Sequence, residues 1–176
     1  SKSRKGRSIF SPELFYSEEH IWAKPMDQHT RLGLDDIIST FAIAADSISL
    51  PSLGSVLKKR QVLVEIIAAG KKAAVLSPLT GTVSAINHDV EESPRLAWRD
   101  PYHRGWLLMI QPDHPEEISR LYSGEKAKTW FIKQASNLTT LLMKWAPKPS
   151  KKEEPQEGQL IWRVIHDRWD KLNEIL

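Results

Sequence analysis

Short apolar runs separated by turn residues fill the first two thirds of the chain. Runs rich in valine, isoleucine and leucine recur between residues 16 and 111, with prolines, glycines and Asn87 between them. Many short strands at this spacing predict an antiparallel barrel or sandwich. The predicted strands are His20–Lys24, Arg31–Leu34, Ser47–Leu50, Val62–Ile67, Ala73–Leu76, Gly81–Ile86 and Trp106–Ile110.

One helical pattern interrupts the strands. Within residues 35–44, Ile37, Ile38 and Phe41 recur at helical spacing, and Asp35 or Asp36 precedes them as an N-cap. The predicted fold class is therefore mainly β, of the α+β type, with a short internal helix and C-terminal helices.

After residue 115 the apolar residues recur at helical spacing. Apolar residues recur on one face over residues 123–145, which predicts an amphipathic helix with Ser123 as its N-cap. Pro147 and Pro149 end it. Residues 148–158 contain no aliphatic or aromatic side chain, which predicts a linker.

A second amphipathic helix is predicted over residues 160–176. A helix of this length behind a polar linker is marginal by itself in water. Its apolar stripe is therefore expected to dock within the chain, to self-associate or to bind another protein, and the sequence leaves the three open. The predicted partner-binding residues are Trp162, Ile165, Trp169 and Leu172, because tryptophan and its apolar neighbours are typical of binding hot spots.

These patterns divide the chain into five parts. The predicted parts are a basic N-terminal arm (1–15), a β domain (16–113), an amphipathic helix packed on it (114–147), a linker (148–158) and the C-terminal amphipathic helix (159–176).

Charge and composition exclude several classes of protein. Four of the first seven residues are basic, and these four charges exceed the net charge of +3, so the rest of the chain is close to neutral. Nucleic-acid binding is not predicted, because it would require a basic stripe on a folded element. No apolar run approaches the ~20 residues of a membrane span. No hydrophobic stretch follows the basic arm as in a signal peptide, so a cytoplasmic location is expected.

The sequence offers no catalytic or metal-binding constellation. There is no cysteine, and the six histidines lack metal-ligand spacing. No phosphate-binding loop, metalloprotease motif or nucleophile elbow occurs. We therefore predict a non-catalytic protein without a metal.

Five phrases of the β region carry a family resemblance. They are YSEEHIW (16–22), RLGLDD (31–36), SLPSLG (49–54), SPLTGTV followed by IN (77–87) and DPYHRGWL (100–107). Together and in this order they resemble the H protein of the glycine cleavage system, over about residues 16–145. The resemblance implies a lipoyl-type barrel-sandwich hybrid.

The resemblance also implies one functional position. H proteins carry lipoate in amide linkage on a lysine at a hairpin tip, sixteen residues after one glycine and eleven before another. Counting from Gly54 and from Gly81 leads to the same position, and it is Gly70. The acid that usually precedes the lysine by three residues is Ile67 here.

Two functions follow from this substitution. The first is a non-lipoylated H-like binding or scaffold protein that needs no cofactor. Its expected partners are glycine-cleavage or other lipoate-linked enzymes. In a variant of this hypothesis it binds one glycine-cleavage enzyme and regulates it. The alternative is a lipoyl carrier of the aminomethyl group in glycine decarboxylation, modified at Lys71. The oligomeric state is left open.

Overall fold

Two antiparallel sheets and one long helix make up the fold. The computed structural model describes residues 9–146 and 163–171. Within these residues the strands are β1 (Phe15–Tyr16), β2 (Ile21–Met26), β3 (His29–Leu34), β4 (Ser47–Ser49), β5 (Val56–Leu57), β6 (Val62–Ala68), β7 (Lys71–Leu76), β8 (Gly81–Ile86) and β9 (Leu108–Pro112). The helices are α1 (His88–Glu92), α2 (Leu96–Arg99) and α3 (Gly124–Trp145), with 3-10 helices at Ile38–Ala44 and Pro115–Arg120.

The strands form one large and one small sheet. The six-stranded sheet has the order β1-β2-β3-β9-β8-β5, and the three-stranded sheet has the order β4-β6-β7. All the strand pairs recorded are antiparallel. The predicted mainly β fold with a short internal helix and a C-terminal helix is confirmed. In the small sheet β7 lies at an edge, with no further strand paired to its outer side among the described residues.

The tryptophan of the YSEEHIW phrase anchors the large sheet. Trp22 is fully buried, and its indole N–H donates to the carbonyl oxygen of Pro101 at 3.0 Å. Gly33 lies opposite Trp22 on β3, and a Cβ at Gly33 would come within 2.5 Å of the indole ring. Three of the five phrases therefore meet at one packing contact, which requires glycine at position 33.

A buried ion pair joins β2 to the internal helix. His20 and Asp35 are both buried, and their Nδ1 and Oδ2 atoms lie 2.8 Å apart. The other carboxylate oxygen accepts the N–H groups of Ile37 and Ile38 at 2.9 and 3.0 Å, so Asp35 holds the turn that leads into the 3-10 helix. Asp35 and Asp36 were the predicted N-caps, but Ile37 occupies the N-cap position of the 3-10 helix. Burial lowers the pKa of His20, but the charge and hydrogen bond of Asp35 outweigh it and raise this pKa overall.

Helix α3 packs on the start of the large sheet. Its buried residues are Ala127, Phe131 and Leu138. The ring of Phe131 lies 5.7 Å from that of Tyr16 on β1. Ser123 occupies the N-cap position, but its side chain makes no capping hydrogen bond, and Gly124 follows with a φ of 57°. No helix within the described residues is long and apolar enough to span a membrane.

Helices α1 and α2 and the strands β1 and β5 were not predicted. Each is at most five residues long, which is too short to show a period in the sequence. Asn87 begins α1 by accepting the N–H of Asp89 and donates through its amide to the carbonyl oxygens of Arg104 and Trp106. The predicted 3.6-residue period at 35–44 is realised as a 3-10 helix.

Parts of the predicted organisation lie outside the described residues. These are the first eight residues of the basic arm, the whole predicted linker (148–158) and both ends of the predicted C-terminal helix, residues 159–162 and 172–176.

Candidate functional site

The hairpin formed by β6 and β7 has a two-residue turn. Ala68 and Lys71 are the last paired residues, and Ala69 and Gly70 lie between them with φ angles of 50° and 77°. Positive φ at both central residues is the geometry of a type I′ turn, which favours glycine. The structure thus places Gly70 at the tip of the hairpin, and a Cβ added there would meet no atom within 4 Å.

Asp46 fixes the hairpin tip. Its carboxylate accepts the N–H of Ala69 at 2.7 Å, and its own N–H donates to the carbonyl oxygen of Ile67 at 2.8 Å. Asp46 precedes β4, which pairs with β6, so one residue holds the base and the tip of the turn together. The turn is therefore an ordered element of the small sheet. Asp46 was not singled out from the sequence, because it lies 23 residues from Ala69.

The two lysines after the tip have different surroundings. The Nζ of Lys72 lies 3.7 Å from a carboxylate oxygen of Glu65, and its side chain is 67% exposed. Lys71 is half-buried, and its Nζ donates to the carbonyl oxygen of His166 at 3.3 Å. The amine nearest to the tip is therefore engaged by a residue from the C-terminal end of the chain.

The C-terminal segment, residues 163–171, lies against this hairpin. It is helical apart from a turn at Arg168. Trp169 is 1% exposed, and its ring meets that of Phe41 edge-on at a centroid distance of 4.8 Å. The indole N–H of Trp169 donates to the carbonyl oxygen of Lys72 at 3.2 Å. The segment thus contacts both the 3-10 helix and β7.

The predicted partner-binding residues divide into two groups. Ile165 and Trp169 are buried within the described part of the chain, and the Trp169 ring packs against Phe41 of the same chain. Trp162 and Leu172 lie outside the described residues. Binding of a second protein by these four residues stays a prediction. Phe41 and His166 were not predicted as site residues. Phe41 receives the Trp169 ring of the C-terminal segment, and His166 of that segment accepts the Lys71 amine.

A cleft continues along β7 beyond the C-terminal segment. It has a volume of about 340 Å³ and is lined by β7 residues 73–76 together with Glu18, Glu19, Ile38 and Arg60. The cleft combines an apolar floor with two carboxylates and one guanidinium.

The described residues hold no cluster of histidine, aspartate or glutamate suited to a metal ion. His20 and Asp35 resemble the base and orienting acid of a catalytic triad, but both are buried, and the Trp130 ring lies 5.2 Å from that of His20. Their geometry serves the structure, and the candidate site is the hairpin with the surfaces beside it.

Known proteins match this chain over the β region and the first half of α3. The sequence model of the family described as glycine cleavage H-protein matches residues 14–134. A glycine cleavage system H protein from Oceanobacillus iheyensis is 30% identical over 119 residues, which cover 68% of this chain and 94% of that protein. One from Legionella pneumophila is 29% identical over 114 residues, covering 65% of this chain and 91% of the relative.

A solved structure agrees with this match at the level of the fold. The crystal structure of a glycine cleavage system H protein from Mycobacterium marinum superposes with a TM-score of 0.54 at 20% identity. The superposition covers 59% of this chain and 87% of that protein. The two sheets are therefore those of the lipoyl-type barrel-sandwich hybrid. Because the family match spans well over half of its residues, the chain belongs to the glycine cleavage H-protein family.

Proposed function

We propose that this protein is a non-lipoylated, non-catalytic member of its family that acts by binding other proteins. The observation that carries the proposal is Gly70, which has no side-chain amine and lies at the tip of an ordered hairpin. The hairpin is kept, with its turn geometry and its Asp46 anchor, while the residue to which lipoate would be attached is absent.

The residues at the tip do not fit a lipoyl group. Lipoate in this family is attached to a lysine amine, and position 70 offers none. Lys71 is the first residue of β7 and is paired with Ala68, so its backbone is held in the sheet rather than in the turn. Its amine is half-buried and donates to the carbonyl oxygen of His166. We therefore propose no cofactor for this protein.

The alternative function is a lipoyl carrier modified at Lys71. It rests on the position of Lys71 directly after the tip. It requires the amine to leave His166 and a ligase to accept a lysine preceded at three residues by Ala68 instead of an acid. These two requirements favour the non-lipoylated function.

The partners that we propose are enzymes of the glycine cleavage system or other lipoate-linked enzymes. The barrel is the part of the chain that matches the family, and in H proteins it docks to such enzymes. The cleft beside β7, with Glu18, Glu19 and Arg60 on its walls, is a polar surface of this barrel open to a partner. Binding without transfer of a group would let the protein occupy or regulate a partner.

Binding of the unmodified protein to purified glycine-cleavage enzymes tests this function. We expect a complex with at least one enzyme in biolayer interferometry, although the protein carries no lipoate. Glu19→Lys, which reverses a charge in the β7 cleft, should weaken the complex about tenfold, while Glu125→Lys at the exposed start of α3 should leave it unchanged. Absence of binding to every enzyme of the system would contradict the proposal.

A further inference from the structure

The surface beside the hairpin tip is covered by a short helix from the far end of the chain. The contacts of the C-terminal segment with this surface join residues that are 95 and 97 positions apart. Val164, Ile165 and Trp169 are buried, whereas Arg163, Asp167 and Asp170 are exposed. The segment is therefore an amphipathic helix whose apolar side faces the barrel.

Trp169 makes this contact specific. Its ring fits edge-on against Phe41, a favoured aromatic arrangement. A buried indole N–H needs an acceptor, and the carbonyl oxygen of Lys72 on the edge strand supplies it. The Lys71 amine adds a third contact by donating to His166. Apolar burial and two directed hydrogen bonds thus fix the position of the segment on the hairpin.

The contact depends on a small number of side chains of the segment. Within residues 163–171 the segment is held by three buried apolar side chains, Val164, Ile165 and Trp169, and a short amphipathic helix is marginal in water without a surface to dock on. Its order therefore depends on docking. The apolar anchors are few, and docking benefits from the high effective concentration of two surfaces on one chain. Segments of this kind open locally without unfolding of the main core.

We propose that the hairpin side formed by Phe41, the Lys72 carbonyl and the Lys71 amine is a receptor surface for a tryptophan-anchored amphipathic helix, and that the chain's own C-terminal segment occupies it as a displaceable cap. A protein that approaches the hairpin, or an enzyme that modifies Lys71, gains access when the cap is displaced. This inference goes beyond the proposed function. It holds for the non-lipoylated binding protein and for the lipoyl carrier alike, because it concerns only contacts within the chain.

Acylation of the two adjacent lysines tests the cap on the full-length protein. Lys72 is exposed and paired with Glu65, so it serves as an internal reference, while Lys71 is engaged by the segment. With N-hydroxysuccinimide acetate and peptide mass spectrometry, we expect Trp169→Ala to raise the rate at Lys71 about threefold to tenfold relative to Lys72. Asp170→Ala, an exposed change on the same segment, should leave the ratio unchanged.

Rescue in trans separates loss of the cap from loss of fold. A peptide of residues 159–176 added to the Trp169→Ala protein should restore the protection of Lys71, and the same peptide carrying Trp169→Ala should not. An unchanged Lys71 to Lys72 ratio in the Trp169→Ala protein, or failure of the peptide to restore protection, would overturn the proposal. Either result leaves the binding of glycine-cleavage enzymes to be judged by its own experiment.

Discussion

Replacing Asp35 with alanine is expected to lower the free energy of unfolding by about 3–5 kcal/mol. The change leaves His20 buried without its carboxylate partner and removes the acceptor of the Ile37 and Ile38 N–H groups. Urea denaturation measures the loss. Asp35→Asn is the matched control, because its side-chain oxygen still caps the 3-10 helix while the charge is absent, and it should cost less than alanine.

The same ion pair gives a pH dependence of defined sign. The pKa of His20 is raised in the folded protein above the unfolded value of about 6.5. The stability that the pair contributes is therefore fully present below about pH 6.5 and is lost as the pH rises through the folded pKa. The difference in free energy of unfolding between wild type and Asp35→Asn should be larger at about pH 5.5 than at about pH 8. A difference that grows towards pH 8 would contradict this assignment.

Phe41→Ala is expected to cost about 3–5 kcal/mol in global unfolding, whereas Trp169→Ala should cost about 1 kcal/mol or less. The two rings touch and are both buried, so the comparison is between similar losses of aromatic surface. The difference arises because Phe41 lies on the 3-10 helix, within the part of the core that matches the family, while Trp169 lies on the segment that we propose can detach. In the state in which the segment has detached, Trp169 no longer contacts the core, so replacing it with alanine does not destabilise that state.

Urea denaturation together with hydrogen exchange distinguishes the two sites. In Trp169→Ala the amides of residues 163–171 should exchange faster while those of the large sheet keep their protection. Equal costs for Phe41→Ala and Trp169→Ala would show that the C-terminal segment unfolds with the core, which contradicts a displaceable cap.

The hairpin and its tip could be predicted from the sequence because their determinants are local. Short apolar runs define β6 and β7, and a pair such as Ala69 and Gly70 suits a tight turn. The predicted strand Gly81–Ile86 has the same bounds in the structure. The ends of other strands differ by one or two residues, because pairing with a neighbouring strand, and not the apolar run, sets them. β7 begins earlier than predicted, at Lys71 instead of Ala73, and β9 begins later, at Leu108 instead of Trp106.

The surroundings of the hairpin could not be predicted, because they depend on contacts that are distant along the chain. Nothing in the sequence near Asp46 indicates that it binds the N–H of Ala69. The apolar stripe of the last helix predicted a docking partner, but its period does not specify which surface receives it. The contact of Trp169 with Phe41 joins two aromatic residues whose sequence neighbourhoods are both typical of ordinary core helices.

Intact mass of the protein after co-expression with a lipoate ligase and added lipoate tests the central claim most directly. We expect the unmodified mass, because the hairpin tip offers Gly70 and the amine of Lys71 is held by His166. A lipoylated H protein expressed in parallel shows that the ligase is active, and Gly70→Lys shows whether an amine at the tip suffices for modification. An added lipoyl mass on the wild-type protein that disappears in Lys71→Ala would contradict the account and establish the protein as a carrier.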